Sequence, residues 1–256
     1  MNNTLILVNT LILFLSAFSG GLLFLAVPAF RTVRFKNILM LAGSYLFSIT
    51  IIHILPDVYI DYPNPVFIGI FILAGFFLQL ILAFFSRGVE HGHIHAHSPE
   101  TENSPFHTAE VTSLMLGLGV HSFLEGMILA QPPDPAFNHG TAGILLGIVL
   151  HKVPAAFSLM ALFYYAHLGR KKSILNLLLF SLASPAGLLF NNFINQQSGL
   201  PGHYVSMLYG VVAGTFLYIS TTIFFETSPG HHFHPRKLLY AFAGGALAIA
   251  VELFIF

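Results

Sequence analysis

Pro65–Ser86 reads PVFIGIFILAGFFLQLILAFFS, 22 residues without a single Asp, Glu, Lys or Arg. As an α-helix rising 1.5 Å per residue, it covers the roughly 30 Å hydrocarbon core of a bilayer. Seven more apolar stretches of about that length follow from the same reading: 5–28, 37–56, 108–130, 139–166, 173–194, 203–225 and 237–256. Pro, Gly, Asn and Asp mark the breaks, as in Asp61-Tyr62-Pro63-Asn64-Pro65 and Gln131-Pro132-Pro133-Asp134-Pro135. Composition agrees: 55% of the 256 residues are hydrophobic and 8% charged, against about 25% charged in a soluble domain. The fold class that follows is an all-α integral membrane protein of eight transmembrane helices, a single domain over residues 1–256.

Charge sets the orientation. Arg31, Arg34 and Lys36 lie between the first two stretches, Arg87 follows the third, Arg170, Lys171 and Lys172 follow the fifth, and Arg236 and Lys237 follow the seventh. By the positive-inside rule those loops are cytoplasmic and both termini extracytoplasmic. The first stretch has no basic residue before it, so it reads as a retained helix rather than a cleaved signal. Net charge is zero and no basic run interleaves with aromatics, which argues against a nucleic-acid partner. The chain has no cysteine, so any metal must be held by nitrogen and oxygen, donors that suit zinc, iron(II), manganese or cobalt.

The polar residues inside the apolar stretches carry the functional signal. An ionisable side chain at mid-bilayer is penalised by roughly 2.5–3.5 kcal/mol on insertion scales. His121 and Glu125 are nonetheless four residues apart in the fourth stretch, on one helix face. His151 stands in the fifth. Both histidines lie about 18–20 Å into their stretches from opposite ends, at matching depth. Two nitrogens and a carboxylate at one level make an open metal site, with water, Ser122 or Ser158 completing it. The plainer use of such residues is helix–helix hydrogen bonding. Lys152, the one basic residue outside the cytoplasmic loops, has three possible places: it pairs with Glu125, it stands as a fixed charge where a second cation would sit, or it faces elsewhere.

Other polar residues mark the ends of a path. His53 and Asp57, in His53-Ile54-Leu55-Pro56-Asp57, fall at the outer end of the second stretch, where they can attract a cation. Glu226 with His231, His232 and His234 falls at the inner end of the seventh, and Glu110 at the inner end of the fourth. Each is otherwise an interfacial residue in contact with water. Residues 87–107 read as a flexible cytoplasmic loop in which His91, His93, His95 and His97 alternate, a composition that binds transition metals by exchangeable imidazoles. Deleting 91–97 is expected to change apparent affinity or regulation while leaving metal uptake measurable. Complete loss of uptake from a normally folded deletion variant would give the loop a decisive role instead.

At these residues the chain resembles the ZIP (Zrt/Irt-like) family of divalent metal transporters. His121-Ser122-Phe123-Leu124-Glu125-Gly126 is similar to the family's fourth-helix signature, and His151-Lys152-x-Pro-x-Ala to the fifth-helix signature in its His-Lys form. His53–Asp57, Ser184-Pro185-Ala186-Gly187 and Gly214-Thr215-Phe216-Leu217-Tyr218 resemble segments of helices two, six and seven. The resemblance implies uptake of zinc or a related divalent ion toward the cytoplasm, across a cell (inner) membrane. It implies a transport domain sliding against a scaffold within a homodimer, and His121, Glu125 and His151 as transport-site ligands. Two positions depart from the pattern: many members carry a carboxylate where this chain has Lys152, and another where it has Ala155. One metal per site is therefore expected.

The resulting expectation is a transporter of zinc, or of another first-row ion such as iron or manganese, with the metal as substrate and no organic cofactor. No Gly-rich loop ending in Lys-Ser/Thr is present, which argues against direct use of ATP. Two rivals can use the same ligands. An intramembrane zinc hydrolase would keep a catalytic water on the ion, but the His-Glu-x-x-His pattern is absent and no spare carboxylate is placed as a base. A non-transporting metal sensor is the other.

Overall fold

The computed structural model describes residues 3–26, 35–61, 64–86, 108–130, 141–196, 204–226 and 235–255. The described residues are almost entirely helical: α1 (Asn3–Ala26), α2 (Phe35–Ile49), a π-helical turn (Thr50–Ile54) leading directly into α3 (Leu55–Asp61), α4 (Pro65–Ser86), α5 (Thr108–Met127), α6 (Ala142–Tyr165), α7 (Arg170–Gln196), α8 (Tyr204–Glu226) and α9 (Pro235–Ile255). Among the described residues, seven helical segments are long and apolar enough to cross a membrane. α5, 20 residues long, is not among them. It carries the polar residues His121, Ser122 and Glu125.

The second apolar stretch runs farther than its sequence suggests. Pro56 was the expected end, because proline has no N–H and its ring collides with the carbonyl four residues back. The helix instead widens first: the Leu55 N–H bonds the Thr50 carbonyl, five residues back, and the chain continues helically to Asp61. A π turn re-registers the hydrogen-bond ladder ahead of the proline and carries Asp57 inside the helix. Prolines also lie within α6 (Pro154) and α7 (Pro185) without ending either.

Close pairing of helices depends on glycine. The closest pairs are α4 with α8, α2 with α9, α1 with α6, and α5 with α7. A Cβ on Gly126 of α5 would overlap the Ser184 carbonyl oxygen of α7, and one on Gly187 would overlap the Phe123 carbonyl oxygen. Backbones can approach that closely only without side chains, as small residues permit in membrane bundles. Contacts advance in the same direction along both members: Ser122 meets Ser184, Met127 meets Asn191 and Ala130 meets Asn195, so α5 and α7 run parallel.

The pairings sort the helices into two groups. α1, α5, α6 and α7 pack on one another, as do α2, α4, α8 and α9, with α4–α5 and α2–α6 as the main seams between them. α5 and α6 face each other without close backbone packing, and the side chains of the polar cluster bridge the space. Large apolar residues point outward along α4 (Ile70, Leu73, Phe77, Phe84) and α9 (Leu239, Phe242, Leu253, Phe254), as lipid-facing surfaces do.

Candidate metal centre

Glu125 is fully buried, with 0% of its surface exposed. α5 holds it between two helices, and neighbours fix α5 in turn. The Ser184 hydroxyl donates to the Ser122 carbonyl at 2.6 Å. Past Glu125, the carbonyls at the C-terminal end of α5 would lack intrahelical partners. Asn191 Nδ2 satisfies Met127 and Ala130 at 2.8 and 3.0 Å, Asn195 Nδ2 donates to Ala130 at 2.6 Å, and the Tyr209 hydroxyl donates to Ile128 at 3.0 Å.

Three donors converge there. His121 Nε2 lies 2.9 Å from Glu125 Oε1, and His151 Nε2 is in direct contact with the same oxygen. The ligand atoms of His121, Glu125 and His151 all lie within 4.8 Å of one another, and all three residues are buried. No other such group of three occurs among the described residues. His151 Nδ1 is 2.9 Å from the Gly147 carbonyl, which can only accept, so Nδ1 carries the hydrogen. In the neutral ring Nε2 is then a lone pair aimed at a carboxylate oxygen. Two acceptors in contact repel: a proton between them relieves this, or a metal ion bound by both once the atoms part to about 3.4 Å. Anchoring the far nitrogen on a backbone carbonyl is also how metal-binding histidines are oriented.

Lys152 does not face elsewhere. Its Nζ donates to Glu125 Oε2 at 2.5 Å and to Ser122 Oγ at 3.0 Å, and lies 5.4 Å from the centre of the Phe180 ring. The two carboxylate oxygens thus have separate duties, Oε1 toward the imidazoles and Oε2 toward the ammonium. Ser122 belongs to the Lys152 side of the cluster. Ser158 lies apart from it, buried seven residues beyond His151, about 10 Å of helix rise along α6.

The outer pair also comes together, with an addition that sequence reasoning missed. His53 Nε2 is 3.9 Å from Asp57 Oδ2, while His53 Nδ1 lies 3.2 and 3.1 Å from Glu252 Oε1 and Oε2, across on α9. Glu252 carries one available signal: it is the only acidic residue of α9, and apart from Arg236 and Lys237 at the start of the helix its only charged one. Glu110 falls in the first turn of α5 and Glu226 is the last residue of α8. His91, His93, His95, His97, His231, His232 and His234 lie outside the described residues.

A multi-pass bundle of apolar helices with a buried His/Glu/His cluster defines a membrane protein with a donor set that could hold a metal ion. The ZIP Zinc transporter family model matches residues 86–252, well over half of the chain, and the chain belongs to that family. It is 32% identical over 174 residues to Zinc transporter ZIP9 of Micropogonias undulatus, covering 65% of this chain and 54% of that protein. It is 28% identical over 165 residues to Zinc transporter ZIP2 of Homo sapiens, covering 64% and 50%. It is 32% identical over 143 residues to Protein zntD of Dictyostelium discoideum, covering 52% and 20%. The chain spans about half the length of these curated relatives of the zinc transporter type.

Proposed function

We propose that this protein carries zinc, or another first-row divalent ion, across a membrane into the cytoplasm, with His121, Glu125 and His151 as the ligands of the crossing ion. The observation that carries the proposal is the convergence of two imidazole nitrogens and a carboxylate oxygen, all buried and within 4.8 Å of one another, a donor set that can hold one divalent ion. That its relatives ZIP9 and ZIP2 are zinc transporters by name supports the choice of substrate. The same support favours transport over hydrolysis or sensing. Radiolabelled zinc flux into proteoliposomes tests it: flux that survives in both Glu125→Ala and His151→Ala overturns the ligand assignment, and a well-folded wild-type protein without flux overturns transport itself.

The one-sided loop charges support a topology of eight spans with both termini extracytoplasmic. The ion would then approach past His53 and Asp57 and leave past Glu110, Glu226 and the histidines at 231, 232 and 234, with those at 91, 93, 95 and 97 in reserve on the cytoplasmic side. The division into two helix groups, with Glu125 and His151 both in one of them, supports movement of that group against the other. The homodimer and the cell-membrane location rest on the family resemblance.

Lys152 occupies the place of a second cation in this scheme, its ammonium on Glu125 Oε2. Lys152→Glu or Lys152→Asp is then expected to raise the bound zinc from one to two ions per transport site, measured by calorimetry against the parent chain. Unchanged stoichiometry would show that Lys152 serves only to hold Glu125.

A further inference from the structure

Of the seven long apolar helices among the described residues, α9 is the least buried. The part it buries is a narrow stripe of small residues against α2. Ser44 Oγ donates to the Ala241 carbonyl at 2.5 Å, a Cβ on Gly244 would overlap the Leu41 carbonyl oxygen, and Ala248 packs with Tyr45 and Ile49. Glu252 continues that stripe one turn on and meets His53. A carboxylate on a helix that otherwise faces lipid carries a cost of solvation, and a helix anchor alone needs no charge: Ala or Ser would continue the stripe.

Because the Glu252 carboxylate only accepts, the hydrogen of His53 sits on Nδ1. That fixes the tautomer and leaves the Nε2 lone pair turned toward Asp57, 3.9 Å away. Ligands at about 2.1 Å from one zinc ion, at tetrahedral angles, stand about 3.4 Å apart, so a small closure brings His53 Nε2 and Asp57 Oδ2 onto a common ion. The sequence carboxylate, imidazole, metal is the arrangement by which an outer carboxylate raises ligand basicity and aims the ring. The π turn beneath His53 and Asp57 gives this pair its place within one continuous helix.

We infer that Glu252 is a positioning residue for cation capture: through His53 Nδ1 it sets His53 Nε2, which with Asp57 and water ligands holds a divalent cation before it reaches the buried cluster. The inference rests on the transport function proposed above for its place in the path, but its test does not need transport. Zinc binding is measured by equilibrium dialysis on the 256-residue chain carrying Glu125→Ala, Lys152→Met and His151→Ala, with the histidines of 91–97 and 231–234 replaced by serine and folding checked by thermal unfolding. One weak zinc site is expected to remain. His53→Ala and Asp57→Asn should each abolish it, Glu252→Gln should weaken it about tenfold or more, and Glu252→Asp should recover most of the loss. In proteoliposomes the single change Glu252→Gln should raise the KM for zinc by a similar factor and leave maximal flux unchanged. No residual site, a site indifferent to both His53→Ala and Asp57→Asn, or a Glu252→Gln chain that binds like its parent overturns the inference. Equal loss in Glu252→Gln and Glu252→Asp, with a fall in maximal flux, also overturns it by marking Glu252 as structural. Wild-type flux without this binding leaves transport standing, and this binding without wild-type flux does the reverse.

Discussion

Replacing Glu125 by glutamine is expected to reduce zinc flux in proteoliposomes to background, a loss of at least about 100-fold. Glutamine has nearly the same volume but offers one neutral oxygen where the wild type offers a shared anionic carboxylate. Charge-assisted contacts are about twice as strong as neutral ones, and this carboxylate faces His121, His151 and Lys152 together. Removing it also strands Lys152, which is 1% exposed. Breaking one partner of a buried pair costs about 3–5 kcal/mol, so the single variant should unfold at lower temperature as well. Glu125→Gln with Lys152→Met separates the two effects: thermal stability should return toward wild type while flux stays at background. Restored flux in the double variant would mean that the carboxylate serves only to neutralise the lysine.

The second large effect is expected at Gly126. Leucine there must displace the Ser184 backbone carbonyl, which cannot swing aside as a side chain would. Ordinary overpacking costs about 1–3 kcal/mol, and a backbone obstacle places Gly126→Leu at or above the top of that range. Because Gly126 follows Glu125 directly, the same displacement would pull the carboxylate away from His151. Thermal unfolding in detergent should show a clear drop in Tm, or little folded protein. Gly119, two turns earlier on α5, is the control, since a Cβ there would meet nothing within 4 Å. Gly119→Ala should be neutral or stabilising by up to about 1 kcal/mol, as alanine is the better helix former. Equal behaviour of the two variants would show that the α5–α7 approach is not tight.

Much of this was legible in the sequence because membrane spans and buried ionisable groups are both read locally. An apolar run such as 65–86 shows itself without reference to any other part of the chain, and His121 with Glu125 shows itself by the cost of placing both in a membrane helix. His151 could be matched by depth alone. What stayed hidden depends on distant partners. Glu252 looks like a helix-end acid until α9 is laid along α2, which brings it to a residue 199 positions away. The pairing of α5 with α7 rests on Gly126 and Gly187, and a glycine does not announce which backbone it admits. Pro56 misled for a local reason: the π turn before it leaves no mark in residue type. Ser158 was expected at the site from its helical phase, and phase says nothing about the axial distance of two turns.

The division of Glu125 between its two oxygens bears on which ions can be told apart. Glutamate and lysine cancel in formal charge, so an arriving dication meets no net negative field at the cluster, only two imidazole nitrogens and one oxygen. Magnesium and calcium are held by many hard oxygen donors and surrender water reluctantly. For them such a pocket has little to offer in exchange for hydration. Imidazole favours zinc and its transition-metal neighbours. In the proposed transport site, Lys152 would by tying down one oxygen make the centre a filter against the hard alkaline-earth ions as well as a place of binding.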